Sequence, residues 1–196
     1  LALCTDNLST PEIKLPGEYF NTVLWTGTGS TNAITGVGFQ SDWTWIKSRS
    51  VVKKHMLFDS IRGVEYYISS DITDPQSSDP DSLNAWGADG FTVVSNSNVN
   101  QDTSTYVAWN WKAGGAPTAT NSAGAGATPT AGSVKIDGSN LGSALAGTIA
   151  ATKISASTTS GFSVVQFEGN DTSGATVAHG LSQAPELFIF CLLYTS

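Results

Sequence analysis

The chain has 196 residues, room for one or two domains, and only 13% of them are charged against 40% hydrophobic. Roughly a quarter charged is usual in a globular protein, so Ser, Thr, Asn and Gly must cover the surface, a composition that suits β modules of extracellular or virion proteins better than cytosolic enzymes. A net charge of −7 argues against general nucleic-acid binding, and the longest apolar run, residues 187–193, falls far short of the about 20 residues a membrane-crossing helix needs.

The chain opens on Leu1 with neither an initiator Met nor a signal peptide, which reads as an internal piece of something longer. Residues 1–16, punctuated by Pro11 and Pro16, form an extended leading segment. Residues 18–25 are the first strand, apolar on both faces: Val23 and Trp25 share one, Phe20 and Leu24 the other. A turn at residues 27–30 leads to a short strand at 33–37, then to a strand at 42–48 with Trp43, Trp45 and Lys47 on one side. Residues 49–55 are a polar, basic connection. Strands at 55–60 and 65–69 flank the Arg62-Gly63 turn, and residues 70–82 are a loop rich in Asp and Pro. Short apolar segments at 83–86 and 91–94 flank the Asp89-Gly90 turn, residues 96–102 are an Asn-rich loop, and 105–112 form the last strong strand. No helical period occurs anywhere. This pattern predicts an all-β fold, an antiparallel β-sandwich of the jelly-roll kind, over residues 16–115.

The composition then shifts. Residues 113–132 hold only Ala, Gly, Pro, Thr, Asn and Ser, nothing that offsets the entropy of ordering, so residues 116–158 are expected to be a flexible linker with short strands at 133–136 and 148–155. From Phe162 the chain repeats itself. Phe20, Val23 and Trp25 answer to Phe162, Val165 and Phe167, Gly27 to Gly169, Ile34 to Val177, Gly38 and Phe39 to Gly180 and Leu181, and Trp45 and Ile46 to Leu187 and Phe188. Residues 159–190 therefore read as a truncated second module. The ending CLLYTS, residues 191–196, looks like sequencing-adapter read-through and is expected to be non-biological. Cys4 and Cys191 make no metal or redox spacing, and no disulfide between them is expected.

The ordered segments TVLWTGTGS, ITGVGFQSDWTWIKSR, HMLFDSIRG, DGFTVVSN and TYVAWNWKAGG resemble a domain of unknown function from tail and other virion proteins of marine phages, cyanophages among them. The resemblance covers residues 20–115 and the start of a second copy from Phe162. Ser41 departs from the commoner Pro, and Trp43 from a commoner aliphatic. The leading LALCTDNLST resembles the chain that exits a SPRY-type domain in the same proteins. The resemblance implies a concanavalin-like β-sandwich used in tandem in a virion, and it brings no catalytic residues.

Each candidate site has a plain reading beside it. Asp71, Asp74, Asp79 and Asp81 offer oxygens for Ca²⁺, but their spacing matches no EF-hand and suits a solvated loop, which is the favoured reading. Lys47, Arg49, Lys53, Lys54 and Arg62 offer a cationic face to anionic polysaccharide, yet such runs are commonly solvated connections. Trp43, Trp45, Trp109 and Trp111 offer flat faces to sugar rings, but paired Trp residues two apart more often fill a core, the reading preferred here. Asp59 and Arg62 are expected to pair across their turn as a structural device. Residues 27–30 lack the Lys and the helix of a phosphate loop, and His55 and His179 stand alone, without a nucleophile motif. No catalytic, metal or cofactor site is assigned, and no cofactor is expected. The expectation is a non-enzymatic module of a phage tail or tail fibre. Residues 49–54, 70–82 and 96–103 would be its contact loops, and other virion subunits and a host-surface glycan its partners, with no nucleic acid and no membrane insertion. A lectin-like carbohydrate-binding module and a purely structural spacer are the alternatives.

Overall fold

The structure is a computed structural model that describes residues 13 and 15–193. The leading decapeptide with Cys4, and residues 194–196, lie outside the described residues. After a 3-10 turn at Pro16–Glu18 come β1 (Phe20–Thr26), β2 (Asn32–Thr35), β3 (Trp43–Ser48), β4 (Met56–Asp59), β5 (Tyr66–Ser69), β6 (Ser77–Ser78), β7 (Leu83–Gly87) and β8 (Gly90–Val93). A single helical turn, α1 (Ser97–Asn100), precedes β9 (Thr105–Trp111). Then follow β10 (Val134–Ile136), β11 (Ser139–Asn140), β12 (Lys153–Ser157) and β13 (Phe162–Gln166). The fold is nearly all β, as expected. The two-residue strands β6 and β11 are too short to show a period, and α1 forms because Asn96 accepts from the Asn98 N–H (2.7 Å) across a single turn.

The strands make three sheets, ordered β1-β9-β3-β4-β5-β6, β2-β8-β7 and β11-β10-β12-β13. The first two are antiparallel and share one core, which makes residues 20–111 sandwich-like. Ile34, Phe91 and Val93 from the three-stranded sheet pack with Val23, Ile46, Met56, Phe58 and Tyr106 from the six-stranded one. The third sheet contains one parallel pair, β10 with β12.

The central strand β9 explains the density of aromatics. Its residues alternate, so Tyr106, Ala108 and Asn110 face the core while Val107, Trp109 and Trp111 face away. Tyr106 is fully buried and stacks on Trp25 with ring centroids 5.4 Å apart. Its hydroxyl donates to Ser97 O (2.8 Å) and accepts from the Gln101 N–H (2.9 Å), and burial pushes the phenol above its ordinary pKa, so it remains a donor. The buried Asn110 amide is satisfied likewise, with Ser41 and Thr44 hydroxyls on its oxygen and Asn21 O on its nitrogen.

The bend at residues 36–38 is held by Asp89. Its carboxylate accepts from the Gly38 N–H (2.6 Å) and the Gly36 N–H (3.1 Å), which lower its pKa below the ordinary 3.8, Gly38 first. A carboxyl depressed in the folded state stabilises above its unfolded pKa, and that stabilisation is lost as pH falls through the folded value. Melting curves taken downward from neutral pH should show wild type and Asp89→Asn converging below pH 3.8, the wild type holding its advantage above it. Parallel curves would mean that these bonds carry no linkage.

The expected boundary at 158/159 falls inside one sheet. β12 lies in the expected linker, yet it pairs along its whole length with β13 of the expected second copy, from Lys153 opposite Gln166 to Ser157 opposite Phe162. Residues 116–132 have no strand, but their backbone is tied down: Thr118 N–H donates to Gly132 O (2.8 Å) and Asn121 N–H to Thr152 O (2.9 Å), and the Asn121 side chain bonds Ala151 O and Thr130 N–H. Such bonds run through backbone and small polar groups, which composition does not rank as ordering. Beyond β13, among the described residues, only Val177 makes a strand-like pairing, with Gly147 and Ile149, and Leu187 and Phe188 lie in no strand.

Candidate functional site

The three loops named from the sequence meet. From residues 49–54, the Lys53 ammonium donates to Ser97 Oγ (2.9 Å) and the Lys54 N–H to Asn98 Oδ1 (3.3 Å), both in the 96–103 loop. The Lys54 ammonium lies 3.5 Å from Asp74 Oδ2 in the 70–82 loop. That loop reaches the third: Asn96 Nδ2 donates to Asp79 Oδ2 (2.5 Å) and Asn96 N–H to Asp81 O (2.8 Å). Residues 27–30 join through Asn100, whose Oδ1 accepts from the Thr28 N–H (3.1 Å) and whose Nδ2 donates to Ser30 O and Val94 O (each 2.5 Å). Gly27 makes the approach possible, since a Cβ there would stand 2.1 Å from Gln101 O. The result is one continuous polar surface with fixed geometry.

The acidic residues are absorbed by it. Asp71 accepts from the His55 N–H (3.0 Å), Asp74 pairs with Lys54, and Asp79 also accepts from the Asp81 N–H (2.8 Å). Among the described residues no three His, Cys, Asp or Glu side chains converge on a metal position. The basic residues do not form one patch. Arg62 is only 5% exposed at its side chain, with Nε 2.5 Å from Asp59 Oδ2 and Nη2 on Leu57 O, the expected structural pair. Lys47 folds onto Ser48 O (3.0 Å).

The four Trp residues differ from the expected core filling. Trp43 and Trp45 on β3, and Trp109 and Trp111 on β9, are half-buried on the outer face of the six-stranded sheet, turned away from the sandwich-like core. Register places Trp43 opposite Trp111 and Trp45 opposite Trp109. Phe162 of β13 covers the first pair, with centroids 5.8 Å from each and its ring 22° from that of Trp111. Trp45 and Trp109 meet edge to face (74°), and Trp45 Nε1 donates to His55 Nδ1 (2.9 Å). These rings form a second aromatic layer rather than a flat platform. Alternation assigns two faces to a strand but not which of them turns to the core when both are apolar.

The third sheet is seated on this layer by close backbone contact. Gly114 N–H donates to Ser155 Oγ (3.0 Å), and a Cβ on Gly114 would lie 2.4 Å from Lys135 O and 2.6 Å from Ala156 O, so only glycine fits. The Lys153 ammonium reaches Ile61 O (3.0 Å). Beside them Asp42 accepts from Ala113 N–H (2.7 Å), Gly115 N–H (3.1 Å) and Ser60 Oγ (2.8 Å).

Asn96, Asn100 and Gln76 fall inside the loops named from the sequence, but none was singled out there. The first two carry a faint signal, Asn at the start and end of a short polar run before a strand; Gln76 carries none. Among the described residues no helix is long and apolar enough to cross a membrane.

Fold and site together define an all-β, sandwich-like module with one hydrogen-bonded loop face and a small sheet docked on its outer side. The chain belongs to the family described as domain of unknown function DUF7483, matched over residues 15–193. That span runs through the expected linker and second copy without a break. No curated protein and no solved structure matches the chain.

Proposed function

We propose that this chain is a non-enzymatic module of a phage virion protein, from a tail or tail fibre, with a concanavalin-like sandwich as scaffold and its loop face turned to the host surface. The observation that carries the reading is the union of residues 49–54, 70–82 and 96–103 through the Lys53–Ser97, Lys54–Asn98 and Asn96–Asp79 contacts. Loops on a rigid scaffold are the usual seat of recognition, and loops already fixed in place lose little entropy on binding. Support for a virion comes from the resemblance of the ordered segments in residues 20–115. Other virion subunits and a host-surface glycan are the partners in this reading, and display in many copies multiplies a weak single contact. A spacer role is the second reading, favoured by Phe20 and Leu24, exposed on the edge strand β1, where a neighbouring module would pack.

The test is adsorption of the fluorescent full chain to marine bacterial cells and to an immobilised glycan panel. The full chain is required because cutting after residue 115 would strip Phe162 from Trp43 and Trp111. Saturable, cell-selective adsorption is expected. A folded protein that adheres to nothing, even in multivalent display, would leave only the spacer.

A further inference from the structure

β1 is the open end of the six-stranded sheet: among the described residues only β9 pairs with it. Lys112 N–H donates to Tyr19 O (2.8 Å) and Gly27 N–H to Ser104 O (2.7 Å), so the odd-numbered residues of β1 commit their backbone bonds to β9. Phe20, Thr22, Leu24 and Thr26 therefore turn their N–H and C=O groups outward along the edge. Proteins usually blunt such an edge with a short strand, Lys, Pro or a bulge. The opposite end of this sheet is blunted: β6 is two residues long and lies between Asp74-Pro75 and Asp79-Pro80. β1 has none of these devices. Residues 20–26 hold no charge and no Pro, in a chain of net charge −7, and their register against β9 runs without a break.

The side chains on this edge fit a second copy of themselves. Phe20 and Leu24 are 41% and 60% exposed, on one face, with Thr22 midway between them. Phe20 is already fixed against Trp111, with ring centroids 4.8 Å apart. β13, the open end of the third sheet, differs, since all five of its residues are half-buried.

We infer that two copies of this chain join through β1, antiparallel about a two-fold axis at Thr22, the six strands of each forming one continuous sheet. The register follows from the chemistry. Only the even-numbered residues offer outward bonds, so they pair with one another. Centring on Thr22 sets Phe20 of each copy opposite Leu24 of the partner subunit, an aromatic–aliphatic pair made twice. Phe20 and Leu24 then exchange backbone bonds. The Thr22 N–H must first leave Asn21 Oδ1 (2.9 Å), a contact between adjacent residues. A two-fold contact of this kind closes on itself, so assembly stops at the dimer. Residues 27–30 carry β1 into the loop face, so the two loop faces point to opposite ends of the joined sheet. The inference stands apart from the adhesion reading, whose contacts lie on the loops.

Sedimentation velocity of the full chain from about 1 to about 200 µM reads the association, which is expected to be reversible because one edge strand makes a small interface. A dimer that grows with concentration is expected. Leu24→Lys should weaken it about tenfold or more, and Leu187→Lys, in the other exposed apolar stretch, should leave it unchanged. Melting curves confirm that each variant folds. The register is read by cross-linking. With Cys4 and Cys191 replaced by Ser, Thr22→Cys should form a disulfide dimer on copper-catalysed air oxidation, because facing residues of a bonded antiparallel pair have Cα atoms about 5.5 Å apart, within disulfide reach. Thr26→Cys should not, since Thr26 stands opposite Glu18 of the partner subunit and the two Thr26 positions are about 26 Å apart. A monomer at every concentration would overturn the inference. So would a dimer that Leu24→Lys leaves intact or Leu187→Lys abolishes, or a Thr26→Cys protein that cross-links as readily as Thr22→Cys.

Discussion

Asn100→Ala should destabilise the chain by about 3–5 kcal/mol and release the turn at residues 27–30. Asn100 is fully buried at the end of α1 and serves five groups at once: the Thr28 N–H and hydroxyl, the Asn32 amide, Ser30 O and Val94 O. Alanine removes all five bonds and supplies nothing in their place. Each partly buried group left unpaired costs about 1–3 kcal/mol, reduced where water enters. Against a total stability of about 5–15 kcal/mol for a domain, such a loss is large. Urea unfolding checks it, the midpoint falling with little change in slope. Hydrogen exchange at Thr28 should accelerate beyond the global change, because its N–H loses the Asn100 side-chain oxygen, whereas the Gly29 N–H keeps its acceptor, the Asn100 backbone carbonyl (2.8 Å). A loss below about 1 kcal/mol would show that the turn holds itself. Asn100→Asp is not a rescue, since a carboxylate keeps the acceptor but cannot donate to Ser30 O or Val94 O.

Asp42→Ala should cost a comparable amount, about 3–5 kcal/mol, and act elsewhere. The Asp42 carboxylate is 2% exposed and accepts the Ala113 and Gly115 N–H groups together with the Ser60 hydroxyl. Hydrogen bonds to a charged group contribute about 1.5–3 kcal/mol each, and two of these donors are backbone groups with no substitute nearby. Their loss frees the chain where it leaves β9, and Gly114 sits between them. The close seat of Gly114 against Lys135 and Ala156 then opens, and Phe162 lifts from Trp43 and Trp111. Tryptophan emission should shift to the red in the folded variant before any unfolding begins. Asp42→Asn, which keeps one oxygen acceptor, should lie between wild type and alanine. An alanine variant with unchanged emission and midpoint would mean that the third sheet is held by Phe162 and Lys153 alone.

Much of the fold was legible along the chain. Period-two alternation located β1, β3 and β9 within two residues, and the Asp89-Gly90 turn located the hairpin of β7 and β8. The Asp59–Arg62 pair was readable because both partners lie on one turn. The candidate loop face was readable as three separate loops, from Pro, Asn and Asp, but not as one surface. Lys53 and Ser97 are 44 positions apart, and no local pattern marks such a pair. Gln76 was invisible for a related reason: a buried, unpartnered acceptor is defined by its surroundings, not by its neighbours in sequence.

By itself, then, the sequence determined the all-β character, the order of the principal strands and the position of the turns, since these follow from alternation and from residues that limit backbone angles over a few positions. Tertiary structure decided three things. It turned the Trp43, Trp45, Trp109 and Trp111 face outward, because both faces of β3 and β9 are apolar enough to bury and only the position of the three-stranded sheet chooses between them. It drew residues 116–132 into contact, because their order comes from backbone hydrogen bonds and a glycine-only approach that composition does not reveal. And it joined the loops, because hydrogen bonds between side chains distant in sequence form only once the sheets have set the distances between them.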